Sequence, residues 1–506
     1  MVPAGLLAAG RLAAWQYLGH MLQRTSLSVR AALLATLATI PVIAQEGATS
    51  HGTSPWNRFR GPNGTGMAEG KYPAEVGPQQ GVIWKRAFPE GHSSPVFSDK
   101  MMFLTAVEDE KLYTYGINRD NGEIVWRVEA PRPRRTKFHR KNGPAAASAA
   151  VDNDTVAVFF DEYGMLAYDL NGKERWRMPL GPFFNIYGMG ASPIIVGDTV
   201  VLPCDDGKAS YVIGVDKHSG DVRYKVDRPN AVSGHCTPVI YEPEGEDPQF
   251  ILPGSFLLDG YDAKTGKRIW WIRGLPSEMK SVPVLLGDTL WIHGFGSPQN
   301  NKGRQIKIAE FADAVAKMDK DGDGFIGRKE LTDRRIARYY QFLDLDKSGA
   351  LDQDEWRLCR LSFASVNAAM AVRVGGTGDM TDKSVLWRYY RSIPQLPSPL
   401  ITNGVYYLLS DQGGLMTMIS ADKGELIEKN RVGEAGDAYF TAPVCGDGKV
   451  YLLSENGLLT VLAAGKELKP IHSANFDEPC YATPALVDDK IWLRTYGHLY
   501  CLGATK

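Results

Sequence analysis

The sequence predicts an all-β fold of eight four-stranded sheets arranged around a common axis, and three observations predict it. A single unit, made of a small residue, usually a proline, an apolar strand and a tight turn, opens eight times along the chain. The second half of the unit places a glycine turn four residues before an aromatic. The last unit ends one strand short, and one strand without an opening of its own precedes the first. Short sheets repeated at this period hide their edges by radial packing, so the architecture is an eight-bladed β-propeller.

The openings are SSPVFSDKMMFL, SAAVDNDTVAVF, ASPIIVGDTVVL, CTPVIYEPEGED, SVPVLLGDTLWI, PSPLITNGVYYL, TAPVCGDGKVYL and ATPALVDDKIWL. Their marking positions are Pro95, Ala149, Pro193, Pro238, Pro283, Pro399, Pro443 and Pro484, separated by 54, 44, 45, 45, 116, 44 and 41 residues. The interval of 116 exceeds one unit and locates an insertion between Pro283 and Pro399, in blade 5.

In the second half of the units, Gly122, Gly172, Gly220 and Gly266 precede Trp126, Trp176, Tyr224 and Trp270. β-Branched and aromatic residues alternate on both sides of N-G, S-G and T-G turns, which is the hairpin signal. The aromatic at each turn is expected to dock one blade on the next. Ring closure follows from the count: the strand around Ile83 to Arg86 completes the blade that LYCLG leaves unfinished at the C-terminus.

The composition is that of a folded globular protein, 44% hydrophobic and 23% charged. Lys and Arg number 57 against 58 Asp and Glu, which removes any global electrostatic case for nucleic acid or an anionic membrane. Residues 1–44 read as a signal peptide, with Arg24 and Arg30 before the apolar run AALLATLATIPVIA and small residues up to Ala44. That run is shorter than the roughly 20 residues a spanning helix needs, so no membrane span is expected in the mature chain. The implied location is periplasmic or secreted. Six cysteines, Cys204, Cys236, Cys359, Cys445, Cys480 and Cys501, show no C-x-x-C spacing, so neither zinc nor thioredoxin-like chemistry has support. The segments are a signal peptide (1–44), a lead-in (45–80), a first propeller part (81–298), the insertion (299–375) and a second propeller part (376–506).

Within the insertion, DKDGDGFIGRKE and DLDKSGALDQDE each match the twelve-residue EF-hand loop. A Ca²⁺ ion takes six to eight oxygens. Asp319, Asp321 and Asp323 supply them at positions 1, 3 and 5 of the first loop, with a Phe325 carbonyl and a bidentate Glu330. Asp344, Asp346, Ser348, the Ala350 carbonyl, Asp352 and Glu355 do so in the second. Gly324 and Gly349 permit the sharp turn at position 6. Phe311, Val315 and Met318 enter the first loop in the same register in which Ile336, Tyr340 and Leu343 enter the second. Only Leu331 to Leu343 separates the loops, so one helix serves both, and a rigid calcium module is expected rather than a switch.

The connections entering the innermost strands gather at one end of a propeller channel. Here they carry His92, His139, Arg140, Lys141, Asn185, Tyr187, His235, Lys280, Gln395, Asp437, Tyr439, Phe440, Glu478 and Tyr481. His235, Lys280, Arg140 and Tyr187 are the candidate cofactor- or ligand-binding residues, and the excess of cationic donors suits an anionic or carbohydrate-like ligand. The alternative is that these groups only hydrogen-bond neighbouring loops. No catalytic residue is assigned: His235 and Cys236 are adjacent on a strand and point to opposite faces, and no G-x-S-x-G, H-E-x-x-H or phosphate loop occurs.

The turns of the form D-x-x-T-G-K-x-x-W, as in DGYDAKTGKRIW, resemble those of pyrroloquinoline-quinone-like propeller repeats. The lead-in SPWNRFRGPNGTG, with Trp56, Arg60, Gly61 and Pro62, resembles the segment opening many exported members. The resemblance covers nearly all of the chain from Trp56 except the insertion. It implies quinoprotein-like blades and leaves function open between classes. The leading expectation is an exported, non-catalytic binding or scaffold module, similar in repeat type to the lipoprotein propeller of the outer-membrane barrel assembly machinery. No cysteine stands near the cleavage point for lipidation. A quinone-dependent dehydrogenase and a carbohydrate-processing protein are the alternatives. The quinone enzymes of this resemblance typically hold their cofactor under a ring of two adjacent bonded cysteines, and no two cysteines here are neighbours. Expected partners are calcium ions and a small-molecule, carbohydrate or protein ligand at the channel mouth.

Overall fold

The computed structural model describes residues 56–296, 301–432 and 437–504. The segment expected to be a signal peptide (1–44) and the start of the lead-in lie outside them. Eight blade sheets follow one another along the chain, each built on an antiparallel meander of four strands; those of blades 4 and 7 gain a short parallel fifth strand, Gly378–Asp379 and Met67–Ala68. Blade 1 is Val96–Phe97, Met101–Glu108, Lys111–Asn118 and Ile124–Ala130. Blade 3 is Ile194–Val196, Thr199–Cys204, Tyr211–Asp216 and Val222–Asp227. The middle two strands of these blades are almost wholly buried, whereas the outermost alternate, as in Val222–Asp227 where only Tyr224 is buried.

Blade 8 closes the ring. Ala485–Val487, Lys490–Arg494 and His498–Leu502 are completed by Val82–Ala87, which pairs antiparallel to His498–Leu502 from Val82 opposite Leu502 to Ala87 opposite His498. The strand expected around Ile83 to Arg86 therefore removes the free edge that the C-terminus would leave.

The turn aromatics join neighbouring blades. Trp84, Trp126, Trp176 and Tyr224 each cover the turn glycine of the next blade, so that an added Cβ would meet the ring: at Gly122 it would lie 2.8 Å from Trp84, at Gly172 2.5 Å from Trp126, at Gly220 2.7 Å from Trp176 and at Gly266 2.5 Å from Tyr224. The polar tips reach the same neighbour: Trp84 Nε1 donates to the Arg119 carbonyl (3.1 Å), Trp126 to Leu170 (3.0 Å), Trp176 to Lys217 (2.9 Å) and the Tyr224 hydroxyl to Ala263 (3.1 Å). Trp270 departs from the expectation: it packs over Gly260 and donates to Gln249 Oε1 (2.9 Å), both in its own blade. A ring thus contributes its apolar body to packing and still satisfies its donor.

The lead-in plugs one end of the channel. Backbone amides of Phe97, Val151 and Cys445 donate to the carbonyls of Trp56, Asn57 and Gly66 (2.9, 2.8 and 2.7 Å). Arg58 donates to the Pro238 carbonyl, and Arg60 Nη2 to those of Pro399 (2.7 Å) and Pro443 (3.2 Å). These partners open blades 1, 2, 4, 6 and 7, so the segment lies on the axis. Arg58 and Arg60 are fully buried, and burial lowers each guanidinium to about 9.

The insertion leaves blade 5 between its second strand, Thr289–Gly294, and its third, Ala368–Arg373. This corrects the limit expected at Gly375: the two strands pair from Gly294 opposite Ala368 to Thr289 opposite Arg373, so the inserted segment ends before Ala368. The run AAMAVR hid the strand because half of its residues are alanines, which carry little strand signal. The other expected limit, near Gln299, lies outside the described residues. The insertion holds three helices, α1 (Phe311–Met318), α2 (Arg334–Leu343) and α3 (Gln353–Ala364). They pack on a separate core that includes Ala314, Ile326, Ile336, Tyr340, Leu351, Trp356 and Phe363. No helix among the described residues is long and apolar enough to cross a membrane.

Candidate functional site

The end of the channel opposite the plug opens into a cavity of about 450 Å³. Phe59 of the lead-in lies at its bottom, and the connections between blades form its wall. All four candidate binding residues, His235, Lys280, Arg140 and Tyr187, line it, together with His92, His139, Lys141, Gln395, Phe440 and Tyr481. The other four residues expected at the mouth serve neighbouring loops. Asn185 Nδ2 donates to the Asp205 carbonyl (3.5 Å), Asp437 accepts from Ser454 (2.7 Å) and Asn456 (2.6 Å), and Tyr439 is packed in a core between blades. Glu478 accepts from Thr495 Oγ1 and His498 Nδ1 (both 2.6 Å).

The rings form two groups on opposite walls. His92 stacks on Tyr481 at 4.3 Å between centroids, Phe440 leans on Tyr481 at 5.5 Å, and Lys141 Nζ sits 4.5 Å above Phe440. Across the cavity Tyr187 contacts His139 at 5.5 Å and His235 at 5.9 Å, with Lys280 Nζ 5.2 Å above its ring. Three cations therefore share the space. Lys280 is paired with Glu278, whereas among the described residues Arg140 and Lys141 form no ion pair. The imidazoles are neutral at neutral pH: burial, with Arg494 nearby, lowers His92 to about 4, and burial, with Lys280 nearby, lowers His235 to about 3. The buried Nε2 of His235 has no hydrogen-bond partner. Among the described residues no carboxylate lines the cavity.

The sequence reading missed the lower wall. The residue before each marking position faces the axis, and where it is Ser or Thr its hydroxyl accepts from the backbone amide of the preceding blade. Ser94 N donates to Ser148 Oγ (2.8 Å), Ser148 N to Ser192 (3.0 Å), Ser192 N to Thr237 (3.0 Å), Val282 N to Ser398 (2.9 Å), Ala442 N to Thr483 (3.0 Å) and Thr483 N to Ser94 (2.9 Å). Val282 and Ala442 interrupt the belt because they have no hydroxyl. The signal was present as the recurrent S-P or T-P at the openings, which register as turn chemistry when read one unit at a time. Cys236 faces away from the cavity and donates to the Ser281 carbonyl (3.1 Å), and all six cysteines are free and buried.

In the insertion, Ile326–Gly327 pairs antiparallel with Ala350–Leu351 and ties the two loops back to back. α2 is the only helix between them, and Ile336, Tyr340 and Leu343 are buried as their register requires. Carboxylate oxygens of Asp319, Asp321 and Asp323 lie within 4.8 Å of one another, as do those of Asp344, Asp346 and Glu355. Gly324 (φ 82°) and Gly349 (φ 93°) make the turns, and their amides donate to Asp319 (3.0 Å) and Asp344 (3.1 Å). Glu330 folds back over the first loop and accepts from Lys320 N (2.5 Å) and Gly327 N (2.8 Å). Ser348 Oγ bonds the Ala350 carbonyl (2.8 Å), and Asp352 Oδ1 caps α3 through the Glu355 amide (2.8 Å). Buried Asp344 Oδ1 has no hydrogen-bond partner, and burial raises the Glu355 carboxyl. An all-oxygen set with an unpartnered buried carboxylate oxygen fits a hard cation such as Ca²⁺, which the six oxygen-donor residues of the second loop would hold.

A family model described as outer membrane protein assembly factor BamB matches residues 77–183 and 115–273, and an EF-hand model matches 312–333 and 341–359. No curated protein sequence matches the chain. Among solved structures, BamB from Moraxella catarrhalis superposes with a TM-score of 0.53 at 12% identity, covering 83% of this chain and 97% of that one. A europium-containing methanol dehydrogenase gives 0.55 at 10% identity, over 90% and 98%. The computationally designed Ika8 protein gives 0.51 at 8%, over 84% and 99%. These likenesses are of fold: a propeller of pyrroloquinoline-quinone-like repeats, here with an EF-hand pair inserted.

Proposed function

We propose that this propeller is an exported, calcium-loaded binding module that takes a small anionic ligand, an acidic sugar, into the channel mouth without transforming it. The observation that carries this reading is the make-up of the cavity: Arg140, Lys141 and Lys280 converge with no carboxylate among the described lining residues, between flat aromatic walls. Arg140 and Lys141, which among the described residues share their charge with no ion-pair partner, suit a sulfate, phosphate or carboxylate group, with Lys280 beside them held by Glu278. Tyr187, Phe440 and Tyr481 offer faces to a sugar ring, and the hydroxyl belt below is spent on joining blades. The plugged far end makes the cavity a dead end suited to holding a ligand.

Glucose 6-sulfate and glucose, compared by titration calorimetry or ligand-observed NMR, separate the charge from the ring. Binding of the sulfated sugar alone, weakened about 10- to 150-fold by Arg140→Ala or Lys141→Ala, is expected, as charged hydrogen bonds contribute about 1.5–3 kcal/mol. Equal binding of both sugars, or of neither, overturns the reading. So does oxidation of an alcohol or sugar, with pyrroloquinoline quinone, calcium and an artificial electron acceptor, that disappears in Lys280→Ala.

A further inference from the structure

The second EF-hand loop is built against the wall of the mouth. The insertion occupies the connection between the second and third strands of blade 5, and in an antiparallel blade this connection emerges at the same end as the one entering the next innermost strand. It leans on blade 3. Arg357 donates to the Asn230 side chain, and Leu345 lies 4.0 Å from where a Cβ on Gly207 would stand. Leu345 sits between the ligand residues Asp344 and Asp346, and its amide donates to Glu355 Oε1 (2.7 Å). Arg357 follows Glu355 by two residues on α3. Both contacts with blade 3 are thus made by side chains one or two residues from those that would hold the ion.

The two contact points on blade 3 belong to one interlocked unit. Arg228 N donates to the Ser210 carbonyl (2.8 Å), Ser210 Oγ donates to Ala231, and buried Arg228 pairs with Asp205 (2.8 Å) and Asp259 (3.2 Å). Two short paths lead from this unit to the cavity. On one, Gly207 N donates to the Phe184 carbonyl (2.9 Å), and Lys208 Nζ lies 4.5 Å above the Phe184 ring. Asn185 is held by Asp205, and its Oδ1 accepts from Tyr187 N (3.0 Å). On the other, Gly234 abuts the Asp205 carboxylate, and the next residue, His235, donates its amide to Met279 O (2.9 Å), beside Lys280. Tyr187, His235 and Lys280 are one wall of the cavity. Among the described residues, Tyr481 and Phe440, on the other wall, have no such connection to the insertion.

We infer that calcium in the second EF-hand loop stiffens the Tyr187–His235–Lys280 wall and so sets the affinity of the channel mouth, whereas calcium in the first loop does not. The inference rests on the mouth being the binding site. It requires no opening of the helix pair: a loop ordered by its ion presents Leu345 and Arg357 rigidly, and the blade 3 unit loses freedom that ligand binding would otherwise have to remove. Ligand in the cavity raises calcium affinity at the second loop by the same factor.

Hydrogen exchange on the full chain reads the coupling directly. Addition of calcium is expected to slow exchange at least about fivefold in residues 181–189 and 228–236, the lower end of ordinary coupling, and to leave 478–482 unchanged. Glu355→Gln loses this protection and Glu330→Gln keeps it. Leu345→Ala with Arg357→Ala still binds two ions by calorimetry but loses it as well. Equal behaviour of the two glutamate variants, or no protection when calorimetry shows the second loop loaded, overturns the inference. The affinity for glucose 6-sulfate is expected to fall by at least the same factor in Glu355→Gln. Protection as expected without any sulfate binding supports the coupling and overturns only the ligand class.

Discussion

Replacing Trp84 by alanine tests whether the ring closes through the strand that precedes the first blade. The side chain is 8% exposed, meets Trp492 edge-on at 5.6 Å, covers Gly122 and donates to the Arg119 carbonyl at 3.1 Å. It therefore holds blade 8 together and fastens it to blade 1. Truncating a buried tryptophan costs about 3–5 kcal/mol. The orphaned Arg119 carbonyl places this one in the upper half of that range. A change of 1 kcal/mol moves Tm by about 2–4 °C at 150–250 residues and by less in a longer chain, so a fall of roughly 5–10 °C is expected. Ile83, its neighbour on the same strand, is 51% exposed and points the other way, so Ile83→Ala should cost under about 1 kcal/mol. Scanning calorimetry of both variants, with chemical denaturation as a second probe, makes the comparison. Equal Tm values for Trp84→Ala and Ile83→Ala would refute closure of the ring through this strand.

Calorimetry should find two calcium ions per chain, and Glu330→Gln and Glu355→Gln should each remove one; an unchanged count in either variant contradicts the ligand assignment. Replacing residues 301–366 with a short Gly/Ser link should leave the propeller folded by circular dichroism, because the insertion has its own core, whereas a deletion carried through Gly375 removes the third strand of blade 5 and should yield insoluble protein. Stability should fall as pH drops below about 6.5. His92 and His235 stay neutral in the fold down to about 4 and about 3, so between those values and 6.5 the unfolded chain binds more protons, and each histidine contributes a slope of up to about 1.4 kcal/mol per pH unit. His235→Gln should flatten the denaturation midpoint against pH in that window, and an unchanged profile contradicts its burial in the neutral form.

Much of the fold could be read because its rules are local. A glycine turn four residues before Trp126, Trp176 or Tyr224 is a contiguous signal, and its repetition multiplies a weak match into a strong one. The unmatched strand at Ile83 to Arg86 needed only counting. The EF-hand loops were legible for a related reason, since one twelve-residue segment carries most of its own oxygen donors. Ala368–Arg373 was not legible, because a strand of small buried residues owes its pairing to Thr289–Gly294, far away in sequence.

The sequence by itself determined the number of blades, the place of the insertion, the two EF-hand loops and the set of polar residues that enter the innermost strands. Tertiary structure alone decided which of those residues meet. Arg140, Lys141, His235 and Lys280 converge because the eight blades turn their entering connections toward one axis, while Asn185, Asp437 and Glu478 turn aside to bond their own loops. The same radial geometry put Phe59 under the cavity and joined the Ser and Thr hydroxyls into a belt. It also laid the second calcium loop, inserted in blade 5, against blade 3. These are contacts between residues separated by many units of the repeat, and a one-dimensional period specifies each unit without specifying what the closed ring brings face to face.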